Sequence, residues 1–130
     1  MRRRLQDEDG QALIEGLLAL GLIVLVIAVG IQGFAYAHAR SVAIAAAQDG
    51  ADAAAVSGSD AGTARADALL HAAGGVGKPL AAATTITGGE ATVTVTGPPP
   101  RLFPLGLFVP NIAASASLPV EGYASTEASP

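Results

Sequence analysis

Gly16-Leu17-Leu18-Ala19-Leu20-Gly21-Leu22-Ile23-Val24-Leu25-Val26-Ile27-Ala28-Val29-Gly30-Ile31-Gln32-Gly33-Phe34-Ala35-Tyr36-Ala37 is the stretch that decides how this chain is read. It carries no charge, and Gln32 is its only strongly polar side chain. As an α-helix rising about 1.5 Å per residue it reaches roughly 33 Å, enough for a hydrocarbon layer of about 30 Å. It contains no proline. Because a backbone in lipid must satisfy its own hydrogen bonds, a single membrane-crossing helix is predicted. Arg2, Arg3 and Arg4 precede it, whereas beyond it Arg40 is followed by no basic residue until Arg65. The positive-inside bias then predicts a single-pass protein of the cell membrane, with a cytoplasmic N-terminus and residues 38–130 extracytoplasmic. A cleaved secretory signal is the competing reading, with small-residue sites at Ala35-Tyr36-Ala37 and Ala37-His38-Ala39. Against it stand the acidic Asp7-Glu8-Asp9 in the leader, Glu15 at the mouth of the run, and a run longer than an ordinary signal's apolar core.

The whole chain has 130 residues, 51% hydrophobic and 14% charged, with a net charge of -4, which allows one small domain besides the helix and excludes a multidomain enzyme. An acidic balance argues against a nucleic-acid partner. There is no cysteine, so neither a disulfide framework nor a thiolate metal site is available. With Phe34 and Tyr36 in the apolar run, only Phe103, Phe108 and Tyr123 remain as aromatics for an exported core, which is therefore expected to be thin.

Immediately before the run stands Gly10-Gln11-Ala12-Leu13-Ile14-Glu15, behind a short charged leader. This layout resembles a type IV prepilin signal. The resemblance implies cleavage by a membrane prepilin peptidase between Gly10 and Gln11, with Glu15 then fifth in the mature chain and the apolar helix retained. Glu15 also has a physical reading of its own. A carboxylate at the edge of an apolar helix is costly if drawn toward the bilayer interior, so it needs a partner or an interfacial position. After cleavage the α-amino group of Gln11 lies four residues earlier on the same helical face, and a neighbouring subunit's amino group is the alternative. A first-turn position also suits the positive end of the helix dipole. The plainer reading is an ordinary interfacial glutamate.

Farther along, Ala37-His38-Ala39-Arg40-Ser41-Val42-Ala43-Ile44-Ala45-Ala46-Ala47-Gln48-Asp49-Gly50-Ala51-Asp52-Ala53-Ala54-Ala55 is similar to the TadE family of tight-adherence pilus proteins, with an Arg, a run of small residues and a Gly-Ala step after the membrane helix. Gly16 stands where that family usually has an aromatic residue. The resemblance implies a minor pilin (pseudopilin) or assembly factor whose partners are membrane lipid, a prepilin peptidase, other pilin-like subunits and the pilus assembly platform. A secreted or single-pass anchored binding protein unrelated to pili is the alternative, and a regulatory subunit of a membrane enzyme is a third. No catalytic role and no cofactor are expected.

The fold class expected is α+β, in five parts: a prepilin-like leader (1–10), a transmembrane helix (11–37), a helical stalk (38–57), a small extracytoplasmic cap (58–122) and a flexible tail (123–130). Alanine dominates residues 38–56, which favours a helix whose small side chains suit lateral packing, although Gly50 weakens its middle and alanine richness also follows from genomic base composition. A cap helix is predicted from about Ala61 to Ala73, with Ser59 or Asp60 as N-cap, Leu69 and Leu70 on its apolar side and Gly74-Gly75 as its stop. Leu80–Thr87, Gly88-Gly89 and Glu90–Thr96 read as a β-hairpin, in which Val93 and Val95 face the helix. Ile112 to Val120 alternates again, and Pro119 confines it to an edge or a strand end. Between the strands, Leu102-Phe103-Pro104-Leu105-Gly106-Leu107-Phe108-Val109 is too apolar for an ordinary loop. It is expected to fold over the sheet as missing core, with a subunit contact as the other reading.

Other chemistry fails on spacing. Gly74-Gly75-Val76-Gly77-Lys78-Pro79 lacks the Gly at 72 and the Ser or Thr at 79 that a phosphate-binding loop requires. Asp67 and His71 share a helical face at i, i+4, as a solvated pair would. With two histidines and scattered carboxylates no metal set is predicted.

Overall fold

The structure, a computed structural model, describes residues 2–104 and 108–122, with side chains described for 7–104 and 108–122. Along the chain come α1 (Arg2–Ser57), α2 (Ser59–Ala72), a 3₁₀ turn (Gly74–Val76), β1 (Ala81–Thr87), β2 (Glu90–Gly97) and β3 (Ile112–Pro119). Two compact units divide the chain, Met1–Phe34 and Ala35–Pro130, and α1 contributes to both.

In the first unit every described residue is helical. None of the most apolar window of α1 is buried, and Leu17, Leu18, Leu22, Ile23 and Val26 are all more than half exposed. By length and composition the helix is long and apolar enough to cross a membrane.

The second unit stacks helices on one face of a three-stranded antiparallel sheet of order β1-β2-β3, an α+β arrangement. The hairpin forms as its glycines dictate. Gly88 and Gly89 have φ of 61° and 79°, the two positive values that a type I′ turn needs, and they bring Thr87 opposite Glu90. Alternation then sends Ala91, Val93 and Val95 of β2 to the helix-facing side, where all three are buried. Across the register Leu118, Ala116 and Ala114 of β3 continue those rows, partly buried. β3 is an edge strand with Pro119 as its last residue, where a missing N–H costs least. On the opposite face Thr85, Thr96, Ser115 and Ser117 are exposed, and the hydroxyls of Thr92 and Ser117 lie 2.7 Å apart in a cross-strand hydrogen bond.

The core differs from expectation in where its helices come from. Ala39, Ala43, Ala46, Ala47, Ala51 and Ala54 form a buried stripe at helical spacing along α1, and they share one cluster with Ala66 and Leu70 of α2, the β2 residues and Ile112. The alanine surface that offers lateral packing is thus used within the unit, and two helices cover the sheet instead of one. Gly50, expected to weaken the helix, lies inside α1 because the packing requires it. A Cβ there would come 2.9 Å from the Gly62 carbonyl oxygen and 3.1 Å from Val93 Cγ1. Reciprocally, a Cβ at Gly62 would come 2.6 Å from Ala54 Cβ and 2.9 Å from the Gly50 carbonyl oxygen.

Two further expectations are corrected. The N-cap of α2 is Gly58 at φ 95°, with no side-chain cap bond, so Ser59 and Asp60 are already helical. Glycine's left-handed freedom breaks α1 and restarts the chain within one residue. The apolar segment before β3 does not serve as core among its described residues: Leu102 is 53%, Phe103 40% and Phe108 95% exposed. Space on the helix-facing side of the sheet is already filled by the alanine stripe. Leu105, Gly106, Leu107 and the tail from Tyr123 lie outside the described residues.

Candidate processing and assembly site

Gly10, Gln11 and Glu15 lie on α1, which begins at Arg2, so the leader and the apolar run share one helix. The i, i+4 spacing puts Gln11 and Glu15 on one face, and the Gln11 side-chain amide donates to Glu15 Oε1 at 3.3 Å. Both side chains are exposed. In the intact chain Glu15 stands well inside the helix, with no acidic residue in the first turn, so the favourable dipole position expected for it arises only once the leader is removed.

Gly10 is informative through what it does not touch. It has ordinary helical backbone angles, and a Cβ added there would meet nothing within 4 Å. A glycine inside a helix is about 1 kcal/mol less favourable than alanine, and no contact among the described residues requires this one.

Elsewhere the candidates resolve into structure. His71 Nδ1 sits 2.7 Å from the main-chain oxygen of Asp67, a local helical contact in place of a pairing with the Asp67 carboxylate. Gly74, at φ 67°, terminates α2 and opens the 3₁₀ turn, and Gly77 is buried where a Cβ would strike the Leu70 carbonyl oxygen. A groove of about 490 Å³ beside β3 is lined by Gln48, Asp52 and Ser115–Leu118, with a single carboxylate and no base.

What the sequence reading missed is the helix crossing at Gly50 and Gly62. Its signal was present as two small-x-x-x-small pairs, Gly50 with Ala54 and Gly62 with Ala66, the spacing that lets helices approach closely. Arg65 closes the same helix pair from outside, its guanidinium 3.3 Å from Asp49 Oδ2. Compared with protein-family models, curated proteins and solved structures, the chain matches none.

Proposed function

We propose that this chain is a prepilin-like, single-pass membrane protein of the TadE type, a minor pilin or assembly factor of a tight-adherence pilus. In this reading it is cut between Gly10 and Gln11, held in the cell membrane by the apolar part of α1, and faces outward with its α+β unit. Its partners are lipid, a prepilin peptidase, other pilin-like subunits and the assembly platform. Its work is processing, membrane storage and helix packing, without catalysis.

The observation that carries the reading is the juxtaposition, on one helix, of a glycine that no contact among the described residues requires, a carboxylate four residues beyond Gln11, and an apolar surface that the described residues leave uncovered. Glycine at the scissile position leaves the backbone open to a peptidase. A charged residue at the centre of a membrane helix costs about 2.5–3.5 kcal/mol, so Glu15 gains from a cation at the membrane edge, and cleavage creates one at the Gln11 α-amino group. Retention of the helix is favoured over signal-peptidase removal because Ala35 and Ala39, the outer small residues of the two candidate sites, are buried in the second unit.

Co-expression with a prepilin peptidase tests the proposal. The membrane-extracted protein should lose ten residues and begin at Gln11 by intact mass, whereas an N-terminus at His38 or Arg40 would establish the secretory-signal reading. Orientation has its own test. Protease added to spheroplasts should remove an epitope placed after Gly122, and protection of that epitope would reverse the topology.

A further inference from the structure

Leu102, Phe103 and Phe108, before β3, are exposed in the structure, and their position along the second unit indicates what covers them. The N–H of Glu121, just beyond β3, donates to the Ala55 carbonyl at 3.0 Å, and Gln48 and Asp52 flank Ser115–Leu118. α1 and β3 therefore run side by side in the same direction. From Ala55 back to Ala35 is twenty helical residues, roughly 30 Å at about 1.5 Å each. From Glu121 back to Ile112 is nine extended residues, again roughly 30 Å at about 3.3 Å each. Ile112 and its partner Gly97, from which the described residues of the connection lead off, thus lie at the Ala35 end of the unit. That end is where the uncharged run Gly16–Ala37 finishes.

On this connection Phe108 is 95% exposed, Leu102 and Phe103 are exposed beside it in sequence, and Arg101 is exposed too. Apolar and aromatic side chains flanked by a cation, at the end of the unit where the chain enters it from the uncharged run, match the composition of a bilayer interface. We propose that Leu102, Phe103 and Phe108 insert into the headgroup region of the bilayer on the exported side, with Arg101 at the level of the lipid phosphates. The exported unit then has a second contact with the membrane, independent of the spanning helix. This rests on the membrane-anchored reading above.

The chain contains no tryptophan, so single-tryptophan variants of the full-length protein report depth directly. Phe108→Trp, Leu102→Trp, Ile23→Trp and Thr87→Trp are reconstituted into phosphatidylethanolamine–phosphatidylglycerol vesicles doped with lipid brominated either near the headgroup or near the acyl terminus. Phe108→Trp and Leu102→Trp should lose about half of their emission to the shallow bromines and little to the deep ones, as interfacial tryptophans do. Ile23→Trp should show the opposite depth preference, and Thr87→Trp, exposed at the hairpin end, should respond to neither. If both loop variants behave like Thr87→Trp while Ile23→Trp is quenched, the anchor stands and the interfacial loop is overturned. If they are shielded from aqueous acrylamide yet indifferent to bromine at either depth, a protein partner or second copy covers them, and the proposal also falls. An unquenched Ile23→Trp would remove the anchored reading itself, and this proposal with it. Phe108 is nearly fully exposed, so its replacement disturbs no packing.

Discussion

Gly62→Leu is expected to speed the slow hydrogen exchange of the β2 amides up to about a hundredfold while leaving the apolar half of α1 helical. Even a Cβ at this position would sit 2.6 Å from Ala54 Cβ and 2.9 Å from the Gly50 carbonyl oxygen, and leucine adds three more carbons to the same gap. Neither neighbour can move aside cheaply, since one is backbone and the other a buried methyl on the alanine stripe. Overpacking of this kind costs about 1–3 kcal/mol or more, against about 1 kcal/mol regained from helix propensity. The upper end corresponds to roughly a hundredfold loss of protection at Val93 and Val95, within a domain whose whole stability is of order 5–15 kcal/mol. Gly21→Leu is the matched control, because a Cβ at Gly21 meets nothing within 4 Å. Undiminished protection in Gly62→Leu would mean that α1 and α2 do not meet at this crossing.

The second large effect separates processing from assembly at the N-terminal site. Gly10→Val is expected to leave the chain uncut beside a prepilin peptidase, although valine is no worse than glycine in a helix and a Cβ here meets nothing within 4 Å among the described residues. Glu15→Ala should do the reverse. Cleavage after Gly10 proceeds, while recovery of pilin-like partners falls about tenfold, equivalent to ~1.4 kcal/mol of lost association free energy. Intact mass reports the first and co-purification of the mature protein the second. Equal recovery of partners at equal processing would reduce Glu15 to an interfacial anchor, and normal cutting of Gly10→Val would detach Gly10 from any peptidase.

Much of the second unit was legible because its signals are local. Thr92-Val93-Thr94-Val95-Thr96 alternates with the period of a strand, two glycines fit a turn with two positive φ values, and the structure returns β1, β2 and their register from those features alone. Helical spacing likewise puts Gln11 and Glu15 on one face, but the group that meets Glu15 in the uncut chain is the Gln11 side-chain amide and not an α-amino group. What escaped the sequence is non-local. Gly50 reads as a weak point until Gly62, twelve residues on, is known to press against it. Ser59 and Asp60 look like caps until Gly58 turns the chain before them. The apolar segment around Phe103 and Phe108 looks like missing core until the alanine stripe is seen to occupy the space it would fill.

That stripe has a thermodynamic consequence. Among the described residues, eight of the thirteen in the main core cluster are alanine, so most core positions remove one methyl from water instead of an isobutyl or benzyl group. The heat-capacity change of unfolding scales with apolar surface exposed, at about 0.45 cal/mol/K per Å². A methyl-lined core therefore has a small heat-capacity increment for its length, and its stability curve is low and broad rather than tall and narrow. Free energy gained from close backbone approach varies little with temperature compared with that gained from hydration. The second unit is therefore expected to keep a margin of stability that changes little between a cold surface and a warm one.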